Sequence, residues 1–435
     1  MQNALLVVLV FEALLIFFVN GKNIVSPSFI ACMICIFSVS VYALSGNYYQ
    51  YDLHFNTVLV VSGLILALFV GEMIIAAITR QTALISFKRT AKPIVLPIYV
   101  CIILEVFVAV VGVFYFRSVY SFSLKVGNTP GNYFGMAYYV RTAEIPYESG
   151  VWISQGRVIS DCILYFFTYY LFYNKAVTGK FFWRYVWLLP AYAIHILAAD
   201  NRTTLLQSIV ICVIIIFFIL KQKSSWSKKN DKKIVFWSVF AVALYFLLFR
   251  LLGYRTNFSG QKDLWHNLVK YSSSGLMGLD KYLNGEIVLK DTIFGERILM
   301  GIYGVLRSWG FADIPAIEHF EPFYYFAGAS SNIYSGFKSP VQSFGIVGAV
   351  FFFVGIGMLL SVLINSAKYN KFSCIKLFLI GLMVYPIVML PIDGVYSSVL
   401  TVSTLYKLVY LTVIIYVANI FREKKYDRTV KNALA

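Results

Sequence analysis

The stretch SSNIYSGFKSPVQSFGIVGAVFFFVGIG, Ser330 to Gly357, changes character at its middle. Its first half is polar and rich in turn-forming residues, and its second half is almost purely apolar. Ser339 and Pro340 at the boundary are typical of a helix cap and a first helical turn, and the glycines beyond them permit close helix packing. We therefore predict a membrane helix over 341–364, long enough to cross about 30 Å of hydrocarbon, with polar residues at its rim.

Runs of this kind recur along the chain. Of its 435 residues 60% are hydrophobic and 13% are charged, whereas soluble domains carry about 25% charged residues. We predict an all-α polytopic membrane protein with about 11 (10–12) transmembrane helices. The runs cover 4–19, 26–44, 56–78, 94–116, 151–173, 185–199, 205–220, 234–252, 341–364, 377–392 and 399–421. The two within 185–220 are short for membrane spans.

The net charge of +17 is an orientation signal rather than a nucleic-acid signal. Six segments hold 22 of the 37 Lys and Arg residues and only three acids, Asp231, Glu423 and Asp427. They are 20–25, 79–93, 174–184, 221–233, 365–376 and the tail from 422. All six fall on one side if eleven helices are threaded in order. The positive-inside rule makes that side the cytoplasm, with the N-terminus outside and the C-terminus inside.

Two outside segments, 117–150 and 253–340, are too long to be simple turns. The second contains GERILMGIYGVLRSWGF, whose apolar residues recur at helical spacing, so we expect short helices lying on the membrane surface. The organisation that follows has four parts. They are an N-terminal bundle of about eight helices (1–252), an extracytoplasmic loop (253–340), C-terminal helices (341–421) and a basic tail (422–435).

Charged residues at membrane depth are costly and mark candidate functional sites. Arg157 precedes Asp161 by four residues in the fifth run, so the two form either a buried ion pair or, through Arg157, an anion site. Arg202 lies at the predicted N-terminus of the next long helix, a favourable place for an anion. Arg250 and Arg255 flank the start of the large loop and either snorkel to the interface or bind phosphate.

Other ionisable residues are also embedded in apolar runs. Glu12, Glu72 and Glu105 either form a proton path or pair with arginines or with Lys407, and we favour a structural role for them. We expect His195 to be a packed core histidine. The large loop gathers Glu318, His319 and Glu321 among aromatic residues in PAIEHFEPFYYFAG, which is typical of a general base beside a sugar-binding surface. Asn332, Tyr334 and Lys338 complete the polar rim.

The segment from Ser330 to Gly357 resembles the one before a late helix in Wzy-type polymerases of bacterial surface polysaccharides. There an Asn-x-Tyr stretch leads to a Phe-Gly-x-x-Gly helix start. DNRTTLL, which contains Arg202, resembles an arginine-containing turn of the same family. An Arg-x10-Gly motif described for some of these polymerases is absent. Related O-antigen ligases carry a His-Asn pair where this chain has Ser331 and Asn332, which weakens a ligase assignment.

The resemblance implies a GT-C-like membrane glycosyltransferase of the bacterial inner membrane. It would transfer a growing O-antigen or capsule chain from undecaprenyl diphosphate onto a lipid-linked repeat unit at the outer face. Arg157, Arg202, Arg250 and Arg255 would hold the diphosphate. Asn332, Tyr334 and Lys338 would orient the substrate, and His319, Glu318 or Glu321 would act as base.

No metal or other cofactor is required by this chemistry, because diphosphate is already a good leaving group. The implied partners are the lipid-linked oligosaccharides, membrane lipids, a chain-length regulator and a flippase, and not nucleic acid. The alternatives are a flippase or transporter of the same lipid-linked sugar, an O-antigen ligase, and a scaffold without enzymatic activity. A flippase or transporter should show two similar halves, and we find no internal repeat.

Overall fold

The computed structural model describes eleven stretches of the chain, with isolated residues between 135 and 145, between 232 and 240, and at 314. The stretches are 1–45, 49–79, 93–133, 147–198, 202–227, 264–289, 291–311, 321–326, 329–369, 373–399 and 401–422. Twelve α-helices occur within them. These are α1 (Gln2–Val19), α2 (Pro27–Leu44), α3 (Phe55–Ile78), α4 (Ile98–Lys125), α5 (Val151–Thr178), α6 (Leu188–Ala198), α7 (Arg202–Lys223), α8 (Leu264–Leu283), α9 (Glu296–Ser308), α10 (Lys338–Tyr369), α11 (Cys374–Met389) and α12 (Val402–Ile420).

Seven of the described helices are long and apolar enough to cross a membrane, namely α1, α2, α3, α4, α7, α10 and α12. α11 is apolar but shorter, and α5 is 28 residues long but carries Arg157 and Asp161. α6 has only 11 residues, in line with the short run predicted there. The run predicted at 234–252 lies almost wholly outside the described residues. The helices are those of an all-α polytopic membrane protein.

The outward surfaces of these helices are apolar. Phe11 is 68% exposed, Ile103 is 63% exposed and Phe351 is 72% exposed. Large apolar side chains exposed along a whole helix face would be unfavourable in water, whereas in hydrocarbon they carry no cost. The exposure pattern therefore fits helices that face lipid.

The described residues form two compact units. The first comprises Met1–Thr82, Lys262–Ser366 and Leu382–Thr404, and the second comprises Ala83–Gln261, Ala367–Gly381 and Leu405–Ala435. In the first unit α1, α2, α3 and α8 pack against one another. In the second unit α4 packs on α6, and α5 packs on both α4 and α7.

α8, in the large loop, is a 20-residue helix that packs against α2 and α3, and not the short surface helix that we expected there. Tyr49 donates a hydrogen bond to the carbonyl oxygen of Val269 (2.7 Å), and Ser38 donates one to that of Ser272 (2.6 Å). Ser273 is fully buried beside them. The small residues of YSSSGLMG allow this close approach, as they do between membrane helices.

α10 begins at Lys338 and contains one non-helical residue, Gly345, with φ 70° and ψ 175°. This conformation is open essentially to glycine alone, so Gly345 separates a short first segment from the membrane helix that follows. Further along, a Cβ atom on Gly357 would lie 2.1 Å from the carbonyl oxygen of Leu68 in α3. The expectation that glycines of this stretch permit close helix packing is confirmed at Gly357.

A small hairpin interrupts the helical architecture just before α10. Strand β1 (Tyr324–Phe326) pairs antiparallel with β2 (Ala329–Ser331), and Tyr324 lies opposite Ser331. The phenol oxygen of Tyr324 lies 2.7 Å from the carbonyl oxygen of Ser274 and 2.9 Å from that of Ile333, and the two carbonyl groups share its single O–H. The hairpin thereby ties the polar half of the opening stretch to α8.

Candidate active site

The backbone that follows the hairpin is fixed at the meeting point of three segments of the first unit. The N–H of Ser335 donates to the carbonyl oxygen of Gly275 in α8 (3.0 Å). The N–H of Gly336 donates to the carbonyl oxygen of Leu390, just beyond α11 (2.6 Å). A Cβ atom on Gly275 would lie 2.3 Å from the carbonyl oxygen of Pro391, so only glycine fits there. This packing brings the start of α10 and the end of α11 together.

A buried ion pair lies at this meeting point. The ammonium of Lys338 is 2.7 Å from Oε1 of Glu321, and the lysine side chain is fully buried. Nε of Arg297, in the first turn of α9, lies 3.8 Å from the same carboxylate oxygen. One carboxylate therefore faces two cations, and its charge offsets part of the cost of taking the lysine out of water.

Aromatic rings enclose the lysine. The ammonium of Lys338 lies 4.2 Å from the ring centroid of Tyr334, in a cation–π contact. The phenol of Tyr334 donates a hydrogen bond to the carbonyl oxygen of Pro322 (3.0 Å), and its ring meets that of Tyr324 edge-on at 5.3 Å. Burial and the nearby charge of Glu321 raise the pKa of Tyr334, so its hydroxyl keeps its proton.

Asp393 adds a second carboxyl group. It follows α11 in the sequence PIDG, and its side chain is exposed. The pKa of Asp393 is raised to about 6, first because of desolvation by the surrounding protein and also because of the charge of Glu321, while the N–H of Gly394 and the charge of Lys338 oppose the rise. Asp393 is thus an exposed residue whose carboxyl group lies within electrostatic reach of Glu321 and Lys338. A carboxyl group of this kind exchanges protons near neutral pH.

The cluster also contains a polar atom without a protein partner. Oε2 of Glu321 is buried and accepts no hydrogen bond from any described residue. A buried acceptor left in this state is costly unless water or a ligand engages it. The arrangement therefore offers an acceptor oxygen, a carboxyl group that titrates near pH 6, and two cations.

The structure brings together three of the predicted site residues, Glu321, Tyr334 and Lys338. Asn332 lies in the same stretch and is half-buried. Four predicted residues, Glu318, His319, Arg250 and Arg255, lie outside the described residues. Arg202 is the first residue of α7, as predicted, but the structure describes only its backbone.

Arg157, in the second unit, does not pair with Asp161 as a buried ion pair, one of the two roles we considered for it. Its guanidinium lies 3.9 Å from the ring centroid of Tyr115. Asp161 pairs instead with Lys407 (3.1 Å) and accepts a hydrogen bond from the phenol of Tyr192 (2.6 Å). The four-residue spacing allowed the local pair, but α12 and α6 supply closer partners.

Glu72 and Glu12, two of the three embedded glutamates, are hydrogen-bonded to neutral groups rather than paired with arginine or Lys407, whereas Oε1 of Glu105 is buried without a hydrogen-bond partner among the described residues. Glu72 accepts bonds from the Ser26 hydroxyl, the Ser28 N–H and Asn20 Nδ2, and Glu12 accepts one from Ser62. These contacts support the structural role that we favoured.

His195 is a packed core histidine, as expected. Its Nε2 lies 2.8 Å from the carbonyl oxygen of Val108, and its ring stacks on Tyr192 at 5.4 Å. It is buried within the second unit.

The prediction missed two members of the cluster, Arg297 and Asp393. Arg297 lies in the first turn of an amphipathic helix. Apolar spacing predicted this helix but does not indicate which of its charged residues belong to a site. Asp393 is an acid in the short polar break between the last two apolar runs, and that position was a usable signal. Among the described residues no three His, Cys, Asp or Glu side chains are grouped to hold a metal ion.

Comparison with protein-family models, with curated proteins and with solved structures finds no match to this chain.

Proposed function

We propose that this protein is a GT-C-like membrane glycosyltransferase that polymerises lipid-linked oligosaccharides at the outer face of the bacterial inner membrane. The observation that supports the proposal is the buried cluster of Lys338, Glu321 and Arg297, with Asp393 electrostatically coupled to it. It lies where the polar stretch meets a membrane helix. A lipid-borne reacting bond would be presented at this level.

The reaction assigns a task to each group. The oxygen of an acceptor hydroxyl attacks the anomeric carbon of the growing chain, and the bond from that carbon to the diphosphate oxygen breaks. The electron pair leaves with the lipid diphosphate, and the hydroxyl proton passes to Asp393, which is ionised above about pH 6. Glu321 accepts a hydrogen bond from the sugar through Oε2, and Lys338 and Arg297 offset the negative charge that develops.

The diphosphate role of Arg157, Arg202, Arg250 and Arg255 stays a prediction, as does a base role for Glu318 or His319. A proton-driven transporter is less well supported. Glu72, which lies in a candidate span, has a carboxylate held by three donors, and a residue in a proton path must release such contacts.

The test is a gel of surface glycan from cells that lack the protein and are complemented with wild type, Glu321→Gln or Ser308→Ala. Among the described residues Ser308 bonds only within its own helix, to the carbonyl oxygen of Val305, so Ser308→Ala is the matched control. We expect Glu321→Gln to display single repeat units without the polymer ladder while the protein is still inserted. Loss of the single unit outside would indicate a flippase. Full-length polymer retained on its lipid carrier would indicate a ligase, and a wild-type ladder would remove Glu321 from the site.

A further inference from the structure

A polar recess lies in the first unit, lined by residues of the α8–α9 connection and of α10. It has a volume of about 710 Å³, within the range of about 300–1,000 Å³ that small-molecule sites occupy. One wall is the connection from α8 to α9, and the other is the first segment of α10. The lining residues are Tyr282, Leu283, Gly285, Ile287, Val288, Leu289, Asp291, Thr292, Ile293, Phe294, Gln342 and Ser343.

Hydrogen bonds between the polar side chains of the recess fix their orientation. Oδ1 of Asp291 accepts a hydrogen bond from Nε2 of Gln342 (2.8 Å), and Oδ2 accepts one from the hydroxyl of Ser343 (2.6 Å). These bonds fix the amide of Gln342 so that its Oε1 is buried without a hydrogen-bond donor among the described residues. Each carboxylate oxygen of Asp291 keeps a lone pair for a further donor.

The rest of the lining is apolar. Phe294 and Val288 are about three-quarters exposed, at 74% and 75%, and the ring of Phe294 packs against that of Phe344 at 5.2 Å. The recess thus combines an open apolar wall with a carboxylate and an amide that accept hydrogen bonds. None of its described lining residues is cationic.

This chemistry selects the ligand class. A phosphate or another anion would be repelled by the negative charge of the Asp291 carboxylate. A purely apolar ligand would leave Gln342 Oε1 and the lone pairs of Asp291 unsatisfied, which is costly. A neutral sugar has hydroxyl groups that donate to a carboxylate and an amide, and its C–H faces pack on aromatic and aliphatic side chains.

Two segments of the chain connect the recess with the charge cluster formed by Lys338, Glu321 and Arg297. Gln342 lies one helical turn beyond Lys338, so the two occupy the same face of the first segment of α10. On the other side, Thr292 of the recess donates both its N–H and its hydroxyl to Glu296, the residue before Arg297. A saccharide in the recess would therefore lie beside the two segments that carry Lys338 and Arg297.

We propose that this recess binds an uncharged sugar unit of the acceptor oligosaccharide and so positions its hydroxyl for the charge cluster. That the ligand is the acceptor rests on the proposed function. That the recess takes a neutral saccharide follows from Asp291, Gln342 and the apolar wall.

Saccharide binding to the full-length protein in nanodiscs tests the proposal. The probe is the repeat-unit oligosaccharide released by mild acid from the lipid-linked pool of the cells that make this protein, and binding is followed by saturation-transfer NMR and calorimetry. Val288→Trp fills the recess from its exposed rim, and Gln342→Leu removes the buried acceptor while keeping the volume similar. Ser308→Ala serves as the control, and thermal unfolding of each variant shows whether it is folded.

We expect at least tenfold weaker binding in folded Val288→Trp and Gln342→Leu and wild-type binding in Ser308→Ala. Wild-type affinity in folded Val288→Trp would overturn the proposal, as would the absence of oligosaccharide binding to the wild-type protein. The glycan gel of Glu321→Gln reports on the proposed function separately. If cells that lack the protein still make the polymer ladder while Val288→Trp abolishes binding, the saccharide site stands and the polymerase proposal fails.

Discussion

The first unit contains the same arrangement of side chains twice, once at its surface and once buried. In the surface copy the ammonium of Lys281 lies 2.5 Å from Glu286 and 4.6 Å from the ring centroid of Tyr51. In the buried copy Lys338 lies 2.7 Å from Glu321 and 4.2 Å from the ring centroid of Tyr334. An aspartate accompanies each copy, Asp280 in the first and Asp393 in the second.

The two copies differ in how far their lysine and glutamate side chains are exposed to solvent. The lysine and glutamate side chains of the surface copy are 15% and 41% exposed, against 0% and 19% in the buried copy. An exposed pair is screened by water and contributes little to stability, whereas a buried pair carries a large desolvation cost.

The two aspartates show the opposite pattern of exposure. Asp280 is fully buried and accepts hydrogen bonds from Tyr51, the N–H of His54 and Thr57, whereas Asp393 is exposed. A carboxylate whose oxygens are all engaged holds a fold together. One that reaches solvent is available to a substrate.

The largest effect should follow from removing the buried cation. Lys338→Met replaces it with an apolar side chain of similar length and leaves Arg297 facing Glu321. Polymer per amount of inserted protein should fall at least 100-fold, because the charge that offsets the leaving diphosphate is lost. The matched control is Lys281→Met, which removes the corresponding lysine of the surface pair and should leave polymer within about twofold. Glycan gels of both variants, normalised to membrane protein, measure the difference. Equal losses in the two would mean that the copies do not differ in function.

The second effect is on stability. Asp280→Ala leaves the donors of Tyr51, His54 and Thr57 unsatisfied in the interior, so the free energy of unfolding should fall by about 3 kcal/mol or more. Glu286→Gln alters the exposed carboxylate that contacts the same phenol and should cost less than about 1 kcal/mol. Thermal unfolding in detergent compares the two. A small loss in Asp280→Ala would contradict a structural role for this carboxylate.

The backbone break that separates the Lys338 segment from the membrane helix gives the third prediction. Gly345→Ala forces a side chain into a conformation that glycine alone adopts readily, although no atom lies within 4 Å of the added Cβ. The cost should therefore be conformational, about 1–3 kcal/mol. Gly355→Ala also adds its Cβ to open space but at a helical position, and it should be neutral or slightly stabilising. Similar unfolding temperatures for both variants would show that the break is dispensable.

The smallest effect concerns the open aspartate and its pH dependence. The pKa of Asp393 is raised to about 6, so as a general base it is active above that pH and is lost as pH falls through it. Wild-type transfer, measured with membrane fractions and lipid-linked oligosaccharide, should rise between about pH 5 and 7. Asp393→Asn should lower it about tenfold at pH 7.5 and flatten that rise. An unchanged pH profile would assign the base role elsewhere.

The sequence was informative where local pattern decides the structure. Apolar run length predicted the helices from α1 to α4, because crossing hydrocarbon fixes both length and composition. The sequence singled out Tyr334 and Lys338 in the polar rim and Glu321 as one of three candidate bases in the loop before it, and the structure brings these three together.

Tertiary structure decided the partners. Asp393 reaches the cluster from 55 residues beyond Lys338, Asp161 pairs with Lys407 rather than with Arg157 four residues away, and α8 packs among membrane helices instead of on their surface. Spacing along a helix shows which side-chain pairs are possible. Which pair forms depends on the distant side chains that are brought close when apolar surfaces are buried. For this protein the sequence by itself determined the apolar helices and the polar stretch that precedes α10. Only the packing of glycines and small residues against distant carbonyl oxygens determined which of those charges meet.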